Sequence, residues 1–398
     1  MSIGIGFSAA ITPVVAEAHS KNHTIDLKKS FVNGFLICLI LGVFLFLAII
    51  LCKPLLFMLD QPKNVVNLAI PYLEIVAASL IPLLMFQALK QYSDGLSLTS
   101  NPMYATVLAN IINVVVNYIL IFGKFGFPAM GIIGAAIGTL VSRIIMFSFL
   151  FFLLYKKDII KNYIKDIFRF IIDKSMIEKI LSLGFPTSLQ MLFEVGIFTS
   201  AIWLSGLLGE ITQSANQIVL NISSMTFMIA SGLGVSAAIR SGNQKGLENY
   251  KELKRISLSI LLLGIFFALI FTLLIIIFRE YLPYIYINIS DVYNYEKNII
   301  IVQKSAKLFI IVALFQLFDS AQVIILGALR GMQDVKKPTV IVFIAYWVIG
   351  FPISFYFGDI NMLQEIGIWI GLLCGLLFSA VFLYLRFNYL ANRKIQNA

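Results

Sequence analysis

The sequence predicts an all-α polytopic membrane protein built as two parallel-repeat helical bundles, with about 10 full spans plus an N-terminal partial span. Three observations carry this. The 398 residues are 60% hydrophobic and only 13% charged, with a mean hydropathy of +0.93, where a soluble domain has about a quarter of its residues charged. Apolar runs long enough to cross about 30 Å of hydrocarbon as helix recur along the whole chain. Finally, short motifs of the first half return in the second.

In chain order, residues 1–18, MSIGIGFSAAITPVVAEA, are apolar but short, and they lack the basic start of a signal peptide, so they read as half a span. Full spans follow at approximately 31–52, 66–89, 103–122, 130–154, 185–208, 216–238, 256–278, 308–329, 339–357 and 366–385. Pro13, Pro82, Pro186, Gly232, Gly234, Gly327 and Pro352 interrupt these runs, predicting kinks and close helix contacts. The connection KKDIIKNYIKDIFRFIIDK has helical periodicity and mixed charge, which suits a helix lying on the inner leaflet, with a solvated linker as the alternative.

Charge placement gives the orientation. With connections alternating sides, those near 19–30, 90–101, 155–184, 239–255 and 330–338, together with the tail, hold 22 of the 30 Lys and Arg; the opposite side holds seven, and Arg143 falls mid-span. The positive-inside bias puts the C-terminus in the cytoplasm. The net charge of +10 is therefore topology, and no nucleic-acid partner is expected. Cys38, Cys52 and Cys374 lie in apolar runs without metal or redox spacing, and His19 and His23 flank a basic turn, so neither a metal pair nor a disulfide scaffold is expected.

GIGFSAAI at 4–11 recurs as GLGVSAAI at 232–239, with six identities in eight, and Gly95, Pro102 and Gly131 return as Gly331, Pro338 and Gly367. Corresponding segments follow a basic cytoplasmic turn in both halves, so the halves have the same orientation and are parallel repeats, of the kind that encloses a central cavity. The expected organisation is an incomplete N-terminal half-bundle at 1–160, a cytoplasmic connecting segment at 161–180 and a C-terminal six-helix half-bundle at 181–398. Aligning the repeats leaves about fifty residues of the second half without a counterpart at the start, roughly one helix and half of the next. A truncated product, a misassigned start and a lost helix all fit.

Glu194 is the only charge between Lys179 and Glu210, and Asp319 the only one between Lys307 and Arg330, which puts both near mid-membrane. A carboxylate there costs several kcal/mol unless it is protonated, paired or holding a cation. A purely structural acid is the competing reading. Gln190 lies one turn before Glu194, and Gln217, Asn221 and Ser224 share one face of the next span, offering oxygen donors for a hard cation or hydrogen-bond glue between helices. Asn110, Asn113 and Asn117 form a polar stripe in the first half that lines a cavity or bridges helices. Arg143 is either a counter-ion or caged by helix carbonyls.

FPTSLQMLFE at 185–194, SANQIVLNISSMTFMIASGLGVSAAIRSG at 214–242, FDSAQVIILGALRGMQDVKKP at 318–338 and QALKQYSDGLSLTSNPM at 87–103 resemble the multidrug and toxic compound extrusion (MATE) transporters, nearest to their NorM-like branch. The resemblance covers essentially the whole chain. It implies twelve helices in two bundles, of which the first would be lacking here, and a secondary active antiporter exporting organic cations in exchange for Na⁺ or H⁺ by alternating access. It implies Glu194 and Asp319 as the cation-coupling acids, the pair that would hold Na⁺, while Gln190, Gln217, Asn221, Asn110, Asn113 and Asn117, from their spacing, and Phe315 are expected as cavity or substrate-lining residues. Phe315 stands where the family often has a tyrosine, which leaves the coupling ion open. No cofactor beyond that ion is expected, and the chain would work as a monomer in the plasma membrane among lipids, with small organic cations as partners. A lipid-linked oligosaccharide flippase would carry a more cationic cavity, and a non-transporting remnant would not keep two midplane acids. An integral-membrane enzyme would show DDxxD or HExxH, and neither is present.

Overall fold

The structure, a computed structural model, describes residues 1–58, 63–161, 163, 172–287, 295–359 and 362–397. The regular structure among the described residues is helical, and ten stretches are long and apolar enough to cross a membrane. Nine residues of the predicted leaflet helix, 162 and 164–171, lie outside the described residues.

The chain divides into two compact units, Met1–Ser188 and Leu189–Ala398. The first holds α1 (Ser2–Ser8), α2 (Ile11–Ser20), α3 (Thr24–Leu51), α4 (Lys63–Ala78), α5 (Leu80–Gly95), α6 (Ser100–Phe122), α7 (Ile132–Lys156) and the start of α8 (Lys174–Leu207). The second holds the rest of α8, then α9 (Glu210–Gly246), α10 (Tyr250–Phe278), α11 (Tyr295–Gly331), α12 (Lys336–Phe343), a π-helical segment Ile344–Gly350, α13 (Phe351–Phe357) and α14 (Glu365–Gln396).

Prolines set the breaks. Pro13 has no N–H to give Ala9, and the chain breaks between α1 and α2 at that residue. Pro82 does the same to Ala78, where α4 ends, and Ser79 separates it from α5. Pro352 leaves Val348 without its partner, and the turns just before it widen into the π-helical segment. Pro186 leaves α8 unbroken, with the Thr187 hydroxyl donating to Leu183 O at 2.7 Å beside it.

The two units share a packing plan. In the second, α11 is the most enclosed span and packs against α9, α10 and α14; in the first, α5 packs against α1, α2, α3 and α7. The helices carrying the repeated octapeptide thus flank the same partner in each unit. Close approach there needs glycine: a Cβ on Gly331 would meet Ala238 O at 2.5 Å, and one on Gly95 would meet Thr12 O at 2.9 Å. The faces left over are apolar and exposed, such as Leu262, Phe266, Leu269 and Leu273 on α10, as helices set in lipid require.

Candidate functional site

The polar interior of the second unit is built on α8, α11 and the π-helical segment. Gln190 and Glu194 share one face of α8, one turn apart. Three contacts seat this part of α8 along α12 and the π-helical segment: Gln190 Nε2 donates to Thr339 Oγ1 at 3.0 Å, the rings of Phe193 and Phe343 stand 5.0 Å apart, and Gly196 leaves room for Trp347. The pairings advance together along both helices, so the two run parallel.

Across from α8, α11 presents Asp319, 5% exposed, and Gln322, fully buried. Glu194 is only half-buried. The two carboxylates lie close enough for the Glu194 charge to act on Asp319. Among the described residues, neither is engaged in a direct hydrogen bond or ion pair. Tyr346, in the π-helical segment, lies within electrostatic range of both acids and donates to Gln322 Oε1 at 2.6 Å. Gln322 Nε2 has no hydrogen-bond partner among the described residues. Two carboxylates, a phenol and an amide oxygen make a hard donor set, suited to Na⁺ and equally to a proton.

Arg330 joins this cluster from the end of α11. Its Nε and one Nη donate to the same oxygen of Gln190, at 3.3 and 3.0 Å, and its charge acts on Glu194. Reading the chain by spans placed Arg330 in a loop; the helix instead continues through Gly331. Tyr346, Gln322 and Thr339 were also missed. Each looks ordinary in an apolar run, and only Pro352 hints that the helix there is distorted.

The other singled-out residues go elsewhere. Phe315 is enclosed, 1% exposed, with its ring 6.0 Å from Phe198 and 5.4 Å from Trp369. Trp369 in turn donates to Asn216 at 3.0 Å. Gln217 is exposed and donates to Asn221 at 3.3 Å, while the Ser224 hydroxyl donates to Asn221 O, so this row bonds within itself. In the first unit Asn117 donates to Asn113 at 3.1 Å, Asn113 reaches Ser142 on α7 at 3.4 Å, and Asn110 stays exposed. Arg143 donates to Ser79 Oγ at 2.6 Å, at the break made by Pro82, and to Met1 Sδ at 3.5 Å. Both of its contacts are to neutral groups, neither an acid nor helix carbonyls.

Comparison with known proteins adds the context. The MatE family model matches residues 1–119 and 186–356. The multidrug resistance protein NorM of Photobacterium profundum is 30% identical over 392 residues, 97% of this chain and 84% of that protein. The protein of the same name from Vibrio cholerae is 28% identical over 393 residues, 97% and 84% respectively. Among solved structures, an outward-facing multidrug resistance MATE family transporter of the MOP superfamily aligns with a TM-score of 0.87 at 18% identity, covering 99% of this chain and 85% of that one. The eukaryotic MATE transporter AtDTX14 aligns with a TM-score of 0.84 at 20% identity, covering 100% and 87%. With its helical spans, its repeated octapeptide and these matches, the chain belongs to the MatE family of multi-pass membrane transporters.

Proposed function

We propose that this protein is a multidrug efflux antiporter that exports organic cations in exchange for Na⁺ or H⁺, with Glu194 and Asp319 as the coupling pair. The observation that carries this is their juxtaposition in the second unit, on helices long and apolar enough to cross a membrane, with no direct partner for either carboxylate among the described residues. A membrane interior retains such groups where an ion or substrate uses them. The names of the relatives point to drugs as cargo.

The exchange follows from competition. Two neighbouring carboxylates in a poorly polarisable site resist ionising together. An entering proton or Na⁺ neutralises the pair and favours one arrangement of the protein; a cationic drug seeks the same charge and favours the other. Each ligand shifts the equilibrium by its own difference in affinity for the two arrangements, so no simultaneous binding is needed. Asn110, Asn113 and Asn117 within the first unit and Gln217 and Asn221 within the second would offer amides to the drug, in a monomer in the plasma membrane with its C-terminus in the cytoplasm.

The substrate class is tested by loading proteoliposomes with a quaternary cationic dye and imposing a Na⁺ or H⁺ gradient. Gradient-dependent dye movement is expected. Movement of an anion with the dye left in place would contradict the proposal.

A further inference from the structure

Arg330 differs from its charged neighbours. Lys304 pairs with Glu365, Lys297 with Glu210 and Arg386 with Asp334. Arg330 has no carboxylate at salt-bridge distance among the described residues, yet its guanidinium is directed into the unit's interior. Gln190 holds it there. The amide nitrogen of Gln190, 1% exposed, is fixed by Thr339 Oγ1 at 3.0 Å and Val335 O at 3.2 Å, so the oxygen faces Arg330. A guanidinium held in this way costs free energy to desolvate, which a nearby negative charge offsets.

That charge is Glu194, one turn beyond Gln190, within electrostatic range of Arg330 on one side and Asp319 on the other. Asp319 lies eleven residues before Arg330 on the same helix, about 16 Å along its axis, too far to share the cation equally. The titratable or charged groups facing the cluster are Glu194 from α8, Asp319 and Arg330 from α11, and Tyr346 from the π-helical segment. With both acids ionised and the phenol neutral, the cluster carries a single negative charge instead of two.

We propose that Arg330 is the built-in counter-cation of Glu194, so that the acid pair takes up one monovalent charge per cycle, received at Asp319. This rests on the exchange reading of the same two acids. Arg330 acts through Gln190 and Glu194 as a positioning residue.

The test counts protons released when tetraphenylphosphonium binds to purified protein in Na⁺-free buffer, where protons alone can neutralise the acids. One proton per bound cation is expected for the native protein and for Arg330→Lys. Arg330→Gln should also release one, since one monovalent cation replaces one proton in a pair kept neutral, but its acids hold one proton more without the drug, so its pH profile of binding is displaced to higher pH. An unchanged profile for Arg330→Gln would overturn the proposal. Should Arg330→Gln fail to fold, the double variant Glu194→Gln/Arg330→Gln decides. Recovery of folding with one proton released supports the counter-charge, and a double variant still misfolded, or releasing two, overturns it. If Glu194→Gln and Asp319→Asn each retain full efflux, the exchange reading itself has failed; if both lose efflux while Arg330→Gln behaves as native, only the counter-cation falls.

Discussion

Gly327 on α11 lies directly against the backbone of Gly234 on α9, so close that a Cβ on Gly327 would come within 2.1 Å of Gly234 O. One turn further, Gly331 meets Ala238 in the same manner. These contacts set the distance between α9 and α11, and Asp319 lies two turns before Gly327 on the helix they hold.

Gly327→Val should therefore force the two helices apart. Overpacking of this kind costs about 1–3 kcal/mol. The thermal midpoint in detergent should fall clearly, and Gly232→Val, where a Cβ meets nothing, serves as the control with little change.

Lys304 donates to both oxygens of Glu365, at 2.8 and 2.9 Å, and to Thr212 at 3.2 Å, tying α11 to α14 and α9. Glu365 is 8% exposed. Removing one partner strands the other, a loss of about 3–5 kcal/mol in fully buried cases, less here because Lys304 keeps some contact with solvent. Lys304→Met should lower the unfolding midpoint, and Lys304→Met/Glu365→Leu should regain most of it. Equal losses in the single and double variants would show that the pair itself matters little.

Asp173 caps α8. Its carboxylate accepts from Met176 N at 2.9 Å and Ser175 Oγ at 2.7 Å and pairs with Lys29 at 2.7 Å, which together hold it well below the usual carboxylate range, the Lys29 hydrogen bond most of all. A depressed carboxylate stabilises the fold fully above its unfolded value of about 4 and loses that contribution as pH falls through the lower folded value. Asp173→Asn should thus be less stable than the native protein by a constant margin between about pH 7.5 and 5. The margin should shrink only in stronger acid. A margin that already vanishes by about pH 6 would contradict the pairing.

Tyr346 gives its hydroxyl proton to Gln322, whose own amide nitrogen is unsatisfied. Tyr346→Phe leaves the amide with no partner at either end, a penalty of about 1–3 kcal/mol for a buried group. The ion concentration for half-maximal efflux should rise about tenfold, with transport still measurable. Unchanged ion dependence would remove Tyr346 from the site.

Much of this was legible in the sequence, because hydropathy reports burial in lipid directly. All ten spans were readable, although the helices run past their apolar runs: α9 has 37 residues, longer than the bilayer needs, and its polar ends carry no hydropathy signal. Glu194 and Asp319 were visible as isolated charges in apolar stretches. Arg330 was not, since its meaning depends on Gln190, 140 residues away, and no local pattern encodes such a pairing. The half-span at the N-terminus was legible, but its division at Ala9 required weighing what Pro13 does to the carbonyl four residues earlier. Phe315 read as an altered cavity position; its packing against Phe198 and Trp369 depends on helices distant in sequence.

The most direct test of the coupling pair is cation efflux from proteoliposomes under an imposed Na⁺ or H⁺ gradient, for Glu194→Gln and Asp319→Asn at matched protein incorporation. Both substitutions keep size and hydrogen-bonding capacity while removing charge. Loss of gradient-driven efflux in each is the expected result, and native efflux rates in both would contradict the assignment.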